Sequence, residues 1–157
     1  MAIVHARVDE RLIHGQVAMV WTNAVGATRM VVVNDAAVKD ELIIAGLKMA
    51  KPAGVKLSIL SLKRAAEKFK EGAYEEDKVF LITKSVPDMA RLVADGVPVT
   101  QVNVGNVAKR EGSRPIKKSV NLTGQDEVCI REILAKGIPV TAQMIPNESS
   151  QSIETYL

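Results

Sequence analysis

The sequence predicts an α/β fold, a three-layer α/β/α arrangement with a mostly parallel central sheet of six to seven strands. Three observations lead to this prediction: short runs rich in Val, Ile and Leu, segments of helical period between them, and short connections that contain Gly or Pro. A β-α unit repeated five times with such connections is typical of a parallel sheet covered by helices. With 157 residues, the length of one ordinary domain, we expect a single domain over residues 1–157.

Six runs are predicted as strands because they are nearly continuous in apolar residues, as strands buried on both faces are. These runs cover residues 2–8, 29–33, 55–60, 78–82, 99–104 and 138–143. A further short strand is predicted within residues 117–122, next to a stretch that is too polar for the core and lacks a helical stripe.

The segments between the strands repeat their apolar residues at positions i, i+3, i+4 and i+7, which predicts five helices that each pack one face on the sheet. The apolar stripes are, in chain order, Val17, Val20, Trp21 and Ala24; Val38, Leu42, Ala45, Gly46 and Met49; Leu62, Ala65, Ala66 and Phe69; Val86, Met89, Ala90 and Val93; and Cys129, Ile130, Ile133 and Leu134.

Composition and charge narrow the class of protein. Apolar residues make up 47% and charged residues 25%, with a net charge of +3, which is average for a soluble globular protein and too little positive charge for a duplex-binding domain. Aromatic residues are only 3%, so stacking on single-stranded nucleic acid is not expected. We expect the only cysteine, Cys129, to be a buried thiol with a structural role, in a protein of the reducing cytosol. A signal peptide or membrane span is not predicted, and we expect a cytoplasmic protein.

Polar residues follow the predicted strands, at the carboxyl ends where an open parallel sheet binds ligands. The first strand is followed by Arg7, Asp9, Glu10, Arg11 and His14, and later strands by Asn34, Asp35, Thr83, Lys84, Ser85, Gly105, Asn106, Met144 and Pro146. We therefore expect the functional site at this edge of the sheet.

His14 is the only histidine at that edge, and it stands where the first helix begins. A helix start offers unpaired N–H groups and a positive dipole end to an anion, and Gly15 permits close approach of the backbone. The guanidinium groups of Arg7 and Arg11 match phosphate oxygens in geometry and charge. This set favours reversible phosphorylation of His14; the alternative is a polar helix-start residue among ordinary surface arginines.

Other kinds of site find less support in the sequence. His5 lies inside the first strand and is assigned a structural role. The spacing of two histidines and one cysteine fits no metal site. Motifs for ATP, dinucleotide or serine-hydrolase chemistry are absent from the sequence. We therefore predict neither a metal nor a cofactor.

Residues 105–119, called the basic segment below, contain Lys109, Arg110, Arg114, Lys117 and Lys118 against Glu111 alone, a charge of +4. One interpretation is a docking surface for an acidic or phosphorylated partner, because complementary fields steer encounter. The other is a solvated polar loop. Nucleic acid is not the expected partner.

Residues 7–17, Arg-Val-Asp-Glu-Arg-Leu-Ile-His-Gly-Gln-Val, resemble the active-site signature of the enzyme IIB components of the phosphoenolpyruvate-dependent sugar phosphotransferase system. The resemblance is to the mannose/fructose/sorbose branch, which also serves N-acetylgalactosamine. It continues through residues 32–35, 81–85, 102–106 and 143–147, and so covers essentially the whole chain.

The resemblance implies that His14 accepts a phosphoryl group on Nδ1 from a phosphohistidine of the IIA component and passes it to a sugar held by the membrane IIC and IID subunits. This is the activity of a protein-N(pi)-phosphohistidine–sugar phosphotransferase. Arg11 is the expected catalytic partner. The expected phosphate-binding residues are Arg7, Asp9, Gly15, Gln16, Lys84, Ser85 and Asn106, and the expected docking residues are Lys109, Arg110 and Arg114.

The family also implies peripheral association with the membrane transporter, and a homodimer is a further expectation. Two other functions would place an anion or a phosphoryl group at this edge of the sheet. A non-enzymatic regulatory module would bind an anion at His14 without turnover. A receiver-type domain would need an aspartate after the third strand, where Ser61 and Leu62 stand instead.

Overall fold

The computed structural model describes residues 2–146 and 151–157. Its strands are β1 (Ala2–Asp9), β2 (Arg29–Val33), β3 (Lys56–Leu60), β4 (Lys78–Thr83), β5 (Val102–Asn106), β6 (Arg114–Lys117), β7 (Val120–Leu122), β8 (Val140–Ala142) and β9 (Gln151–Ser152). Its helices are α1 (Gly15–Val25), α2 (Glu41–Ala50), α3 (Leu62–Lys70), α4 (Val86–Ala94) and α5 (Gly124–Ala135).

A seven-stranded sheet in the order β3-β2-β4-β1-β5-β8-β9 forms the central layer. The first six of these strands run parallel, and β9 pairs antiparallel with β8. Helices cover both faces of the sheet, because α1 and α2 share one apolar cluster and α3, α4 and α5 share another. The predicted three-layer α/β fold with six to seven mostly parallel strands is confirmed.

Strands β2 and β4 are almost continuously apolar because each contributes side chains to both clusters. In β2, Val31 and Val33 belong to the cluster under α3, α4 and α5, whereas Met30 and Val32 belong to the cluster under α1 and α2. All four are fully buried. A strand covered on both faces therefore shows no alternation of polar and apolar residues.

The stripe predicted to pack α2 on the sheet is wrong. Leu42 and Met49 are 85% and 87% exposed, and the buried residue of α2 is Leu47. The segment is apolar on nearly every side, so periodicity allows more than one stripe and does not choose between them. In α1 the prediction was partly wrong, since Trp21 is buried with Ala18 whereas Val20 is 42% exposed.

The basic segment forms most of a β-hairpin. β7 lies where an extra strand was expected, and it pairs antiparallel with β6 outside the main sheet. Val107 is buried in the core although the stretch is polar in composition. Among the described residues, every helix is too short or too polar to span a membrane.

Candidate functional site

The carboxyl end of β1 lies where the chain connections of neighbouring strands diverge. The chain leaves β1 for α1 on one face of the sheet, but it leaves the adjacent strands β4 and β5 for α4 and α5 on the opposite face. Such a divergence opens a crevice between strands, which is where ligands bind in folds of this class. The predicted edge of the sheet is therefore the one on which the crevice lies.

His14 occupies the N-cap position of α1, as the sequence predicted. Its backbone is extended, with φ −117° and ψ 100°, and its side chain is exposed and makes no capping hydrogen bond. The first turn of α1, which includes the exposed Gly15 and Gln16, contains no acidic residue. The free N–H groups and the positive dipole end of α1 therefore lie beside the imidazole without a carboxylate to neutralise them.

The residues just before His14 are fixed by packing. Leu12 has a positive φ of 61°, a left-handed conformation that is unfavourable for a leucine. Its N–H donates to the Asp9 carbonyl at 2.9 Å, which closes a tight turn. The side chains of Leu12 and Ile13 are buried in the cluster under α1 and α2. Their burial offsets the backbone strain and sets where His14 begins the helix.

Asp9 binds two arginines with one buried carboxylate. The Nε and Nη2 atoms of Arg11 donate to its two oxygens, each at 3.1 Å, and the Arg11 backbone N–H donates at 3.0 Å. Arg7 donates to Oδ2 of the same carboxylate from Nε at 3.3 Å and from Nη2 at 3.2 Å. Asp9 is 1% exposed, and Arg11 is 30% exposed. Two guanidinium groups therefore share one buried carboxylate in the segment that leads to His14.

Arg7 lies beneath Asp9 and Arg11 and does not reach the crevice. It is 2% exposed, and its Nη1 donates to Asn103 Oδ1 at 2.5 Å and to the Gln143 carbonyl at 3.1 Å. A Cβ on Gly105 would collide with its guanidinium, so glycine is required there. Arg7 and Asp9 are both enclosed by protein, and Asp9 binds the Arg11 guanidinium; the phosphate-binding role expected for the two residues stays a prediction.

Two residues that bind Arg7, Asn103 and Gln143, were not predicted as site residues, and Gly105 was expected at this edge but not for its contact with Arg7. The available signal was Asn103, a polar residue between Val102 and Val104 in a run that is otherwise apolar. A buried polar side chain needs a partner, and here the partner is the equally buried Arg7.

The remaining predicted phosphate-binding residues line two separate grooves. Lys84 and Ser85 line a groove of about 210 Å³ together with Glu10 and Arg110. Ser85 also caps α4 by accepting from the Asp88 N–H at 3.3 Å. Asn106 instead lines a groove of about 550 Å³ with Lys117, Lys118, Ser119 and Met144. Glu10 divides the two regions, since its N–H donates to the Asn106 carbonyl and its carboxylate accepts from the Ala108 N–H.

The arginines of the basic segment are paired within the molecule. Arg110 donates to the buried carboxylate of Asp126, which also completes a capping box at the start of α5. Arg114 donates to Glu127 at 2.6 Å and to the Tyr156 carbonyl at 2.7 Å. Lys109 and Lys118 are exposed. The basic segment therefore exposes Lys109 and Lys118, whereas its two arginines are bound within the molecule.

His5 is buried among aromatic rings, as expected of a residue with a structural role. Its ring stacks on Trp21 with centroids 4.1 Å apart and meets the edge of Phe80. Burial, and then the charge of Arg7, lowers the pKa of His5 to about 3. Trp21 is held in turn by a hydrogen bond of 2.8 Å from Nε1 to the Met144 carbonyl.

Cys129 is buried and free, and burial raises the pKa of its thiol, as expected of a structural cysteine. Within residues 2–146 and 151–157, the His, Cys, Asp and Glu side chains form no group of three or more that fits a metal ion. Asn147, at the end of a stretch that carries the family resemblance, lies outside the described residues.

Comparisons with known proteins match almost the whole chain. A family model described as the PTS system sorbose subfamily IIB component matches residues 3–157. The chain is 33% identical over 153 residues to the PTS system sorbose-specific EIIB component of Klebsiella pneumoniae, a match that covers 98% of this chain and 93% of that one. The PTS system mannose-specific EIIAB component of Escherichia coli strain K12 is 31% identical over 148 residues, 94% of this chain and 46% of its own length.

A crystal structure of the IIBSor domain of the sorbose permease from Klebsiella pneumoniae has the same fold. Its TM-score with this protein is 0.95 at 32% sequence identity, and the match covers 99% of this chain and 96% of that one.

Proposed function

The chain belongs to the sorbose subfamily of IIB components of the sugar phosphotransferase system, and on this basis we propose that it is the phosphocarrier of such a system, with His14 as the residue that carries the phosphoryl group. The observation that supports this assignment is the exposed imidazole of His14 at the start of α1, three residues after an arginine held by a buried carboxylate. A phosphoryl group there meets helix amides on one side and a guanidinium fork on the other.

The proposed cycle has two transfers. In the first, an imidazole nitrogen of His14 attacks the phosphorus of a phosphohistidine on the IIA component, and the donor N–P bond breaks as the new N–P bond forms. In the second, a sugar hydroxyl attacks the same phosphorus, the His14 N–P bond breaks as the new O–P bond forms, and the hydroxyl proton passes to the released imidazole. The family resemblance makes Nδ1 the bonding nitrogen.

The residues divide the work by their burial. Arg11 is partly exposed and donates toward the transferring oxygens, whose charge spreads over three positions in a loose transition state. Asp9 and Arg7 are buried and keep the Arg11 guanidinium in place. The N–H groups at Gly15 and Gln16 add dipolar stabilisation from the start of α1.

The partners follow from the reaction. A mannose-specific relative is named an EIIAB component, which supports a IIA component as the donor of the phosphoryl group. The acceptor is a sugar held by membrane IIC and IID subunits, so the protein works in the cytoplasm at the surface of the transporter. Lys84, Ser85 and Asn106 line open grooves that shape the rim, and Lys109 with its neighbours in the basic segment meets the partners.

The test is phosphoryl transfer in a reconstituted system. The protein is incubated with labelled phosphoenolpyruvate, enzyme I, the carrier HPr and a cognate IIA component. We expect an acid-labile, alkali-stable label on the wild-type chain that His14→Ala abolishes. His5, the second histidine, remains in that variant and controls for labelling of any histidine. Asn23→Ala, at the far end of the same helix, is the matched exposed control.

Two outcomes would reject the assignment. A label that survives His14→Ala places the phosphoryl group on another residue. A protein that stays unlabelled by a IIA component competent toward another IIB chain is the non-enzymatic module instead.

Arg11→Ala tests the second catalytic residue. Because the guanidinium is proposed to bind the transferring oxygens, the transfer rate should fall by about two orders of magnitude or more while the fold persists. Stopped-flow or quench measurement of the rate, with circular dichroism of the variant, checks both parts. Arg11→Lys should restore only part of the rate, since lysine lacks the planar fork. An unchanged rate in Arg11→Ala would contradict the assigned role.

A further inference from the structure

Helix α2 carries an apolar face that this chain leaves uncovered. Leu42 and Met49 are 85% and 87% exposed, and Ala45 and Gly46 between them are exposed as well. Residues three and four apart lie on one side of a helix, so these four form a single stripe, called the α2 stripe. The helix is held to the body of the protein from its other side, where Leu47 is buried.

The helices on the opposite face of the sheet bury their apolar stripes, in contrast to α2. There, α4 buries Val86, Met89, Ala90, Leu92 and Val93, and α5 buries its stripe under the same cluster. Exposed large apolar side chains on ordinary surfaces occur singly, whereas contiguous ones mark interaction sites. The α2 stripe therefore requires a partner surface.

The order of side chains in the α2 stripe reads the same from either end. A large residue, Leu42, is followed by small Ala45 and Gly46 and then by large Met49. When a second α2 runs antiparallel to the first, Leu42 of one copy faces Met49 of the other at each end. The small residues meet at the centre and allow the two backbones to approach closely.

Charges beside the α2 stripe have the same symmetry. Glu41 and Lys48 are exposed and seven residues apart, so they lie on one flank of the helix. In the antiparallel pair, Glu41 of each copy lies opposite Lys48 of the other, which gives two equivalent ion pairs. In the antiparallel arrangement, the positive end of each helix dipole also lies beside the negative end of the other, which is favourable.

We propose that the α2 stripe is the interface of a homodimer in which the two α2 helices pack antiparallel about a twofold axis. The self-complementary order of side chains and charges favours a second copy of this chain over a different partner, because an isologous contact needs this symmetry. The stripe points away from the sheet, whereas His14 lies at the sheet edge. The dimer therefore leaves His14 accessible, and the proposal is independent of the proposed function.

The association should be weak. A ten-residue helix is about 15 Å long, so one helix pair covers less than the roughly 800 Å² per partner of a standard stable interface. A groove of about 530 Å³ on another side of α2, lined by Val38, Ile44, Leu57 and Ile59 with Lys48 and Lys51, contains none of the α2 stripe and does not enlarge this contact. We expect dissociation in the micromolar range, between monomers of 17.0 kDa and dimers of twice that mass.

Sedimentation velocity across a concentration series from about 1 to 500 μM tests the proposal. The wild-type chain should shift from monomer to dimer. Leu42→Asp should weaken the dimer about 30-fold or more, because it places a charge against the apolar Met49 of the other copy at both ends of the contact. Val128→Asp, at a position of 49% exposure on α5, is the matched control and should leave the dimer unchanged.

A charge exchange tests the antiparallel arrangement. Glu41→Lys alone and Lys48→Glu alone should each weaken the dimer, and the double variant should recover wild-type association because the pairs form again in reverse. Thermal unfolding of each variant controls for loss of α2 itself. A protein that stays monomeric at every concentration, or that binds phospholipid vesicles without self-association, would overturn the proposal. So would a dimer that Val128→Asp weakens and Leu42→Asp does not. Single charge exchanges that the double variant fails to rescue would overturn it as well.

Discussion

Arg11 and Arg110 follow neighbouring strands at the same edge of the sheet, and each binds a buried aspartate, yet the two aspartates differ in how many arginines they bind. Asp9 binds both Arg7 and Arg11, so two guanidinium groups share one carboxylate in the segment that leads to His14. Asp126 binds only Arg110 and also caps α5, so that pair is neutral. Arg114 of the basic segment and Glu127 of α5 form a second neutral pair.

A count of charges along the sequence therefore overstates the positive charge that the basic segment presents to solvent, and it does not reveal how the charges before His14 are paired. The basic segment has the larger charge by count, but α5 supplies carboxylates for both of its arginines. Residues 7–17 have no net charge by count, because Asp9 and Glu10 offset the two arginines. Asp9 alone binds both arginines, whereas the Glu10 carboxylate accepts from the Ala108 N–H. The charge that reaches the site therefore depends on how these groups are paired.

Asp9→Asn should have the largest effect that separates the two regions. Removal of the carboxylate charge leaves Arg7 buried without its counter-ion, which costs about 3–5 kcal/mol of unfolding free energy, and it releases Arg11 from its fixed orientation. Urea unfolding and the phosphoryl-transfer rate measure the two effects. Asp126→Asn is the matched control, and it should lower stability by about 1–2 kcal/mol without slowing transfer at saturating donor. Equal losses of transfer rate in both variants would remove the distinction between the regions.

Acid should destabilise the β1 region through His5. Its pKa is lowered from 6.5 to about 3 in the folded protein, first by burial and then by Arg7, so the unfolded chain binds a proton that the folded chain does not. Stability therefore falls as the pH drops from about 6.5 toward 3, by up to about 1.4 kcal/mol per pH unit, and this contribution is constant outside that window.

His5→Phe keeps an aromatic ring against Trp21 and removes the titration. Urea unfolding of both proteins between pH 4 and 7 should give a shallower pH slope for the variant. Identical slopes would show that His5 does not contribute, and that acid acts on carboxylate pairs in both regions alike.

Arg114→Ala should have the smallest effect. Its guanidinium is 49% exposed, and the pair with Glu127 is worth less than about 1 kcal/mol of unfolding free energy. Because the guanidinium is already bound to Glu127 and Tyr156, the apparent KM for the phosphorylated IIA component should rise less than with Lys109→Ala. Steady-state transfer assays at two salt concentrations compare the variants. A larger effect for Arg114→Ala would mean that the pair opens when the partner docks.

Much of the fold and part of the site were predictable because they depend on local patterns. Buried strands are continuous in Val, Ile and Leu, and the start of α1 at His14 follows from the stripe that begins at Val17. The position of His14 at the sheet edge then follows from the topology of parallel sheets. The roles of Arg7 and Arg11 were not separable, because both are arginines two residues from Asp9 on either side.

The chain by itself determined the layered α/β fold, the end of the sheet that carries the site, and the residue at the start of the first helix, because periodicity and helix-start chemistry act over a few neighbouring residues. The tertiary structure decided which of two arginines is enclosed, which carboxylate each arginine binds, and which stripe of α2 faces outward. Those outcomes depend on contacts made far along the chain, by Asn103 and Gly105 on Arg7 and by α5 on the basic segment. A local pattern does not contain them.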